Sequence, residues 1–345
     1  MAESDAAQTR ATALIVGCTG PVLSDDEHSF FRDADPLGFI LFQRNCETPD
    51  QIRALVTTFR DAVGRSNAPV LIDQEGGRVQ RLRPPHWRDA PPAKAFADLY
   101  RNAPEIAREG AFLNALLIGR DLADLGITVD CAPVADVPQP DAHDIIGDRA
   151  YGLEPTSVAE LGRAVCEGLM AAGVLPVIKH MPGHGRAMAD SHLELPVVDA
   201  PIDQLRTVDF PPFKDLADMP WAMTAHVIYS ALDADDAATN STSVIGDVIR
   251  SELGFDGVLV SDDLGMKALE GDFGTRARRA LAAGCDVALH CSGDMDEMIA
   301  AAAGAGPLTV ATEARIERTE NERLAAGPSP VLSEAALTRL EELLA

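Results

Sequence analysis

The sequence has few positive charges and no long hydrophobic run. Only four of its 29 basic residues are lysine, and the formal net charge is −25. Such an acidic surface repels phosphate backbones and anionic lipid, so we expect no nucleic-acid partner and no membrane-surface partner. A net charge of this size is typical of a protein whose surface charge keeps it soluble. No apolar run reaches the roughly 18–20 residues that cross a bilayer, so we also predict no membrane span.

An export signal and a disulfide framework are missing as well. The first ten residues, MAESDAAQTR, are acidic and polar, whereas a secretory signal begins with a basic segment and an apolar core. The six cysteines have no CxxC or metal-ligand spacing, and several lie in apolar runs, where cysteine behaves as a small hydrophobic residue. A chain of 345 residues does not need disulfides. We therefore expect a cytoplasmic location.

Eight short apolar runs alternate with longer amphipathic stretches along the chain. The runs are rich in Val, Ile, Leu and Ala, which is typical of strands buried on both faces of a parallel sheet. They are Ala13–Val16, Gly38–Phe42, Pro69–Ile72, Thr128–Val134, Val174–Ile178, Ala222–Ala225, Gly257–Val260 and Asp286–Leu289. Helical patterns lie between most of them, at Thr48–Val63, Ala103–Leu125, Pro155–Ala172, Ile202–Asp218, Ser241–Leu253 and Gly274–Ala283.

This alternation predicts an α/β fold with a parallel sheet and right-handed crossovers. Eight repeats favour closure into a (β/α)₈ TIM-type barrel, and the GxGxxG motif that would favour an open sheet does not follow the first strand. No linker divides the chain, since AGPSP at residues 326–330 separates only a final helix at Ser333–Leu344. We predict one catalytic domain over residues 1–345, with that short helix packed on the barrel wall.

Polar residues that can carry chemistry follow five of the apolar runs. They are Asp73, the pair Lys179-His180, His226, the run Ser261-Asp262-Asp263, and His290. In a barrel, the C-terminal ends of the strands share one rim, where side chains from different strands converge on an active site. One such residue can simply mark the end of a strand. Five together indicate a site at this rim.

The segment IDQEGGRVQRLRPP, residues 72–85, combines a carboxylate with several arginines. Gly76 and Gly77 allow a tight turn, and Arg78, Arg81 and Arg83 follow at once. A carboxylate and an arginine that face one cleft suit the polar groups of a sugar ligand. An Asp–Arg ion pair that only fixes the loop is an equal alternative.

The segment VIKHMPGHGRAMADSHLELP, residues 177–196, holds three of the eight histidines. Its glycines and small residues predict a loop, and Asp190 can orient the imidazole of His192 and raise its basicity. A metal site at His180, His184 and His192 is the alternative. No Cys₂His₂ or HExxH spacing is present, and Lys179 would repel a cation, so we expect no metal and no cofactor.

Six segments carry a resemblance to a known family. They are IDQEGGRVQR (72–81), CAPVADV (131–137), IGDRAYG (146–152), KHMPGHG followed by DSH (179–192), MTAHVIY (223–229) and GFDGVLVSDDLGM (254–266). In this order and spacing they resemble glycoside hydrolase family 3, specifically its single-domain bacterial β-N-acetylglucosaminidases. The segment with KH, PGHG and DSH is specific for that branch.

The resemblance implies roles for individual residues. Asp262 is the expected nucleophile, because the family's catalytic carboxylate directly follows the Ser or Thr at the strand end, and Asp263 is expected to be structural. The pair Asp190 and His192 resembles the family's acid/base dyad, in which histidine replaces the usual second carboxylate. The residues that match sugar-binding positions are Asp73, Arg81, Arg149, Lys179 and His180, with His226 beside them on the rim.

The chain departs from its relatives at two places near these residues. Arg186-Ala187 replaces the Asp-Thr that relatives often have after PGHG, and Gly265 replaces a serine or asparagine. Neither change removes a residue assigned to the chemistry. Arg186 is the one that we expect to affect specificity for the leaving sugar.

The activity implied by the resemblance is retaining exo-hydrolysis of terminal β-linked N-acetylglucosamine. The implied substrates are N-acetylglucosaminyl-1,6-anhydro-N-acetylmuramic acid and its peptides, which are cleaved in cytoplasmic cell-wall recycling. Two alternatives stay open: a β-glucosidase or β-xylosidase of the same family, and a barrel that binds muropeptides without turnover. A sensor has no use for a nucleophile, which argues against the second alternative. The sequence leaves the oligomeric state open, with a monomer as the expectation.

Overall fold

The computed structural model describes residues 10–140, 144–187, 195–326 and 331–345. Its strands are β1 Thr12–Val16, β2 Pro36–Leu41, β3 Val70–Ile72, β4 Val129–Asp130, β5 Leu175–Met181, β6 Val197–Val198, β7 Trp221–Thr224, β8 Ile228–Tyr229, β9 Val258–Asp263 and β10 Val287–His290. Eight of them form a closed parallel barrel in the order β1, β2, β3, β4, β5, β7, β9 and β10. Strands β6 and β8 pair with each other in a small separate sheet.

The closed barrel confirms the predicted fold class, and each of the eight apolar runs overlaps one barrel strand. Six of these strands, β2, β3, β4, β5, β7 and β10, are buried along their whole length, because helices cover the sheet on its outer face and side chains fill its interior. Strands β5 and β9 continue three residues past the C-terminal ends of their apolar runs, β5 to Met181 and β9 to Asp263. Their polar residues are therefore the last residues of strands and are held by the barrel itself.

The helices surround the barrel. They are α1 Asp25–Ala34, α2 Pro49–Val63, α3 Ala93–Tyr100, α4 Pro104–Asp124, α5 Pro155–Ala171, α6 Ile202–Gln204, α7 Phe210–Asp215, α8 Phe273–Ala283, α9 Met295–Ala305, α10 Val310–Ala326 and α11 Ser333–Leu344, with π-helical stretches at Leu205–Asp209 and Val244–Glu252. Where helices were predicted, helical structure is present. Four helices were not predicted: α1, α3, α9 and α10.

A sequence signal was available for α1. The Ser24 hydroxyl accepts a hydrogen bond from the N–H of Glu27, and the Glu27 side chain accepts one from the N–H of Ser24. The Ser-x-x-Glu motif therefore forms a capping box. Helix α10 has a weaker signal, since charged residues are spread around its surface. Its position is set by packing at the N-terminal end of the barrel, where the indole N–H of Trp221 donates to Thr319 on α10 at 3.1 Å.

The final helix α11 lies against α4. Its buried residues Ala336 and Leu340 face α4, and Arg339 forms an ion pair with Glu109 at 2.7 Å. Among the residues that the structure describes, no helix combines the length and the apolar character needed to cross a bilayer.

Candidate active site

A cavity of about 390 Å³ opens at the C-terminal ends of the barrel strands. Six of the residues singled out in the sequence lie on its wall: Asp73, Arg81, Arg149, Lys179, His180 and Asp262. Glu75, Arg78, His184 and Asp263 add further polar groups, and Ile40, Phe42, Met223 and Leu289 are among the apolar residues of the wall. The barrel thus brings together six assigned residues that are up to 189 positions apart in the sequence, from Asp73 to Asp262.

A larger cavity, of about 1120 Å³, lies at the opposite end of the barrel, between the strand N-termini and α10. Three of the arginines on its wall are bound to carboxylates of the protein: Arg10 to Glu313, Arg65 to Asp35 and Arg323 to Glu320. The first pair joins the segment before β1 to α10, the second joins the segment after α2 to the residue before β2, and the third lies within α10. These arginines therefore have structural roles. Since barrel enzymes carry their chemistry at the C-terminal face, the smaller cavity is the candidate active site.

A tight turn after β3 brings four charged side chains to the cavity wall, those of Asp73, Glu75, Arg78 and Arg81. Gly76 and Gly77 have φ angles of 92° and 56°, a region that favours glycine. A Cβ atom at Gly76 would also lie 2.4 Å from the carbonyl oxygen of Pro91. The turn folds the chain back so that Arg81 reaches Asp73, with its Nη2 3.1 Å from Oδ2.

The floor of the cavity is a buried cluster of four alternating charges. Lys179 Nζ lies 3.0 Å from Asp73 Oδ1 and 2.7 Å from Glu75 Oε1. Arg149 binds the same Glu75 with two hydrogen bonds, of 2.8 and 2.9 Å. Two-point binding of this kind fixes both groups in orientation. Glu75 was not predicted as a site residue, although it lies only two residues after Asp73 in the same segment.

These carboxylates are ionised at neutral pH despite their burial. Burial raises the pKa of Asp73, but the charges of Lys179 and Arg81 outweigh it and hold that pKa well below its usual range. Burial likewise raises the pKa of Glu75, and Arg149 and Lys179 reverse the effect and lower it to about 2. The same contacts raise the pKa of Lys179 against the opposing effect of its burial. The cluster therefore presents fixed, charged donors and acceptors to a ligand.

Replacing Lys179 by methionine should destabilise the fold strongly. The change leaves Asp73 and Glu75 buried without their shared cation, so the free energy of unfolding at pH 7 should fall by about 3–5 kcal/mol. Because the pKa of Glu75 is depressed in the native protein, its contribution to stability is present above its unfolded pKa and lost as pH falls. In denaturant unfolding, the difference in the free energy of unfolding between variant and parent should therefore become smaller below about pH 4.5.

The exposed Lys214 offers a matched control. Lys214→Met should change the free energy of unfolding by no more than about 0.5 kcal/mol. If Lys179→Met lowers the free energy of unfolding by no more than this control does, the buried cluster does not contribute to stability as described.

Two histidines lie side by side on the cavity wall, and both are held by Asp136. The ring centroids of His180 and His184 are 5.6 Å apart. Asp136 is fully buried and accepts the backbone N–H groups of both residues, and its Oδ2 lies 2.7 Å from His180 Nδ1. Burial and the nearby His180 lower the pKa of His184 to about 4, so His184 is neutral at pH 7. Asp136 belongs to the CAPVADV segment, but the sequence analysis assigned it no role.

Asp262 lies near the C-terminal end of β9, where its side chain reaches the cavity. The Ser261 hydroxyl donates to the Asp262 carbonyl at 2.8 Å and accepts the N–H of Leu289 on β10, which fixes the backbone at this point. The N–H of Asp263 donates to Asp262 Oδ1 at 2.8 Å. The Asp263 carboxylate in turn accepts the N–H groups of Gly265 and Cys291, so it ties two rim loops together.

His226, which was expected on the rim beside the sugar-binding residues, lies behind the cavity wall. It is fully buried, and both ring nitrogens are engaged: Nδ1 with the Thr239 hydroxyl at 2.7 Å and Nε2 with the Asp263 carbonyl at 3.0 Å. The Nε2 contact supports the Asp263 backbone, and the grouping of His226 with the sugar-binding residues stays a prediction. His290 is similarly buried, with Nε2 2.9 Å from Ser292.

The predicted acid/base residues Asp190 and His192 lie outside the described residues. The chain before them is described up to Ala187, and there Arg186 donates to the buried Asp209 at 2.6 Å. Burial raises the pKa of Asp209 to about 6, and Arg186 opposes the rise. Arg186, which the resemblance marked as a departure, is thus bound to the neighbouring helical segment.

Comparison with known proteins agrees with this geometry. The glycosyl hydrolase family 3 N-terminal domain matches residues 21–324. The beta-hexosaminidase of Alkalilimnicola ehrlichii is 40% identical over 283 residues, which are 81% of this chain and 80% of that protein.

Two solved structures have the same fold. NagZ from Neisseria gonorrhoeae, in complex with N-trifluoroacetyl-D-glucosamine, gives a TM-score of 0.86 at 27% identity over 98% of this chain and 99% of that one. A family 3 β-N-acetylglucosaminidase from Paenibacillus sp. gives 0.84 at 30% identity, over 96% of this chain and 66% of that longer one. The chain therefore belongs to glycosyl hydrolase family 3, as its motifs predicted, and is a glycoside hydrolase of the β-hexosaminidase type.

Proposed function

We propose that the protein is a retaining exo-β-N-acetylglucosaminidase that releases terminal N-acetylglucosamine from muropeptides and anhydromuropeptides through a glycosyl-Asp262 intermediate. The observation that carries the proposal is the Asp262 carboxylate on the wall of a cavity lined by fixed ionised groups. At about 390 Å³, the cavity is near the lower limit for small-molecule sites. That size suits one terminal sugar and favours exo over endo cleavage.

The nucleophile assignment follows from the chemistry that retention needs. A retaining enzyme requires an ionised carboxylate beside the anomeric carbon, which it attacks through an oxocarbenium-like transition state. Asp262 lies near a strand terminus, and the N–H of Asp263 fixes its carboxylate. Asp263 is a poorer candidate because its own carboxylate is already bound by two backbone N–H groups.

The sugar-binding assignment rests on the charged cluster. Asp73 and Lys179 hold each other, and Arg149 is held by Glu75. These residues therefore offer preorganised hydrogen bonds to hydroxyl groups at little entropic cost. Arg81 extends the cluster, and its guanidinium lies 5.1 Å from the centre of the Phe42 ring. We assign these residues and His180 to binding of the N-acetylglucosamine hydroxyls.

The acid/base assignment to His192, oriented by Asp190, rests on the sequence. His192 protonates the leaving oxygen and later takes a proton from water. A histidine avoids a second anion next to Asp262. The chain enters this segment shortly after His184, which lies on the cavity wall.

We further propose a cytoplasmic role in cell-wall recycling and one catalytic domain for the whole chain. All six cysteines are buried free thiols, which is typical of a protein from a reducing compartment. The packing of α11 on α4 supports its inclusion in the barrel domain.

A panel of nitrophenyl glycosides together with N-acetylglucosaminyl-anhydromuramic acid tests the proposed activity. We expect turnover of the β-N-acetylglucosaminide to exceed that of the β-glucoside and β-xyloside, and we expect the disaccharide to be cleaved. A preference for the glucoside or xyloside would favour the first alternative activity. Binding of the disaccharide with no turnover of any substrate would favour a muropeptide-binding protein.

Activity should be unchanged after dialysis against EDTA. The three histidines of residues 180–192 lack metal-ligand spacing, and Lys179 next to His180 opposes a cation. Within the described parts of the chain, His, Cys, Asp and Glu side chains form no cluster of three suited to a metal. Loss of activity on chelation, with recovery on addition of zinc, would instead support a site at His180, His184 and His192.

A further inference from the structure

We propose that Asp136 is a positioning residue that holds the His180 imidazole in the Nδ1–H tautomer and directs its Nε2 toward the sugar as a hydrogen-bond acceptor. The inference rests on the proposed contact between His180 and N-acetylglucosamine. It assigns a function to a buried carboxylate outside the charged cluster and specifies which kind of sugar group His180 recognises.

The first step is the hydrogen bonding of Asp136. Its Oδ1 accepts two backbone N–H groups, from His180 at 3.2 Å and from His184 at 2.6 Å, and its Oδ2 lies 2.7 Å from His180 Nδ1. An ionised carboxylate only accepts hydrogen bonds. The proton between Asp136 and the ring therefore belongs to Nδ1.

The second step is the orientation of the ring. Nδ1 and Nε2 are on different edges of an imidazole, and Asp136 lies in the protein interior with no exposed surface. When Nδ1 faces Asp136, the Nε2 edge is directed away from it, and His180 is one of the residues that line the cavity. In a neutral ring with the proton on Nδ1, Nε2 carries a lone pair and accepts a hydrogen bond from a sugar hydroxyl.

The third step is the comparison with an amide at position 136. In Asp136→Asn the single carbonyl oxygen must accept both backbone N–H groups, so the NH₂ group faces His180 Nδ1. That ring nitrogen then has to accept, and the proton moves to Nε2, which becomes a donor. The opposite amide orientation would direct NH₂ at two backbone donors and leave them without acceptors, which is unfavourable in the interior.

The tautomer is measured by ¹⁵N NMR of the imidazole nitrogens in the full-length protein. The chain has eight histidines, and His180→Gln identifies the His180 signals by their loss. We expect the parent protein at pH 7.5 to show a protonated Nδ1 and an unprotonated Nε2, and Asp136→Asn to show the reverse. A parent protein with the Nε2–H tautomer, or with both nitrogens protonated at that pH, would overturn the inference, even if the asparagine variant failed to fold.

Kinetics then test the coupling between the two residues. On the nitrophenyl N-acetylglucosaminide, Asp136→Asn should lower kcat/KM by about tenfold or more, chiefly through KM, and should weaken inhibition by N-acetylglucosamine in parallel. In the His180→Gln background, Asp136→Asn should lower kcat/KM by less than about threefold, because the ring that Asp136 positions is absent. Equal losses in both backgrounds would mean that Asp136 acts on the fold alone.

Asp286 provides a matched control for removal of a buried carboxylate. It also accepts a backbone N–H, from Leu259, and it is bound to Arg250, but it lies at the start of β10. Asp286→Asn should leave the His180 signals unchanged. If Asp136→Asn inverts the tautomer without weakening N-acetylglucosamine inhibition, the positioning role stands and the proposed sugar contact of His180 is wrong.

Discussion

Asp262→Ala should lower kcat by about 10⁴-fold or more while the fold stays intact, since it removes the group that forms the covalent intermediate. Asp262 lies at the rim, and its alanine variant loses the hydrogen bond from the N–H of Asp263. The contacts of the Ser261 hydroxyl and of the Asp263 carboxylate, which shape this part of β9, are retained. The decisive measurement is covalent labelling by a 2-deoxy-2-fluoro glycosyl trap, followed by peptide mass mapping. The label should be found on the peptide that contains Asp262 and on the Asp262 side chain.

Asp263→Asn is the matched control for this experiment. An asparagine carbonyl can still accept the N–H groups of Gly265 and Cys291, so the rim loops should keep their places. We expect less than about a tenfold loss of kcat and unchanged labelling at Asp262. Label on Asp263 or Asp73 in the parent protein would show that the nucleophile has been assigned to the wrong carboxylate.

The barrel and most of its rim were predictable because they depend on local patterns. A strand buried on both faces has a continuous apolar run, and a charged residue at the end of that run marks the barrel rim. The runs before Asp73, Lys179 and Asp262 gave both signals, and all three residues line the cavity. The capping box of α1 is also encoded locally, by its Ser-x-x-Glu motif.

The residues that were missed depend on contacts between distant segments. Glu75 gains its role from Arg149, and Asp136 gains its role from the ring of His180 near the end of β5. Each pair joins segments that are distant in the sequence and meet only in the folded barrel. His226 shows the converse. His226 follows the apolar run of β7, as Lys179 follows that of β5. Its ring, however, is hydrogen-bonded to the buried Thr239 hydroxyl, behind the cavity wall. Which face of a strand end a side chain occupies is decided by such partners.

His192→Ala should reduce the rate of the glycosylation step far more for a disaccharide than for a nitrophenyl glycoside. A sugar oxygen must be protonated as it leaves, whereas nitrophenolate leaves largely unaided. If His192 supplies that proton, its loss should cost about 10²–10⁴-fold on N-acetylglucosaminyl-anhydromuramic acid. With the nitrophenyl substrate, the same step should lose much less.

Pre-steady-state measurement of each substrate isolates this step from hydrolysis of the intermediate, in which His192 acts as a base for both substrates. Asp190→Ala should show the same dependence on the leaving group with smaller losses, because it orients and polarises the imidazole without transferring the proton. His184→Ala is a useful comparison, since His184 is a neutral histidine on the cavity wall that has no assigned proton transfer. Its effect should not depend on the leaving group. Equal losses on both substrates for His192→Ala would mean that His192 binds the sugar, and the acid/base would then have to be sought among the other groups at the cavity rim.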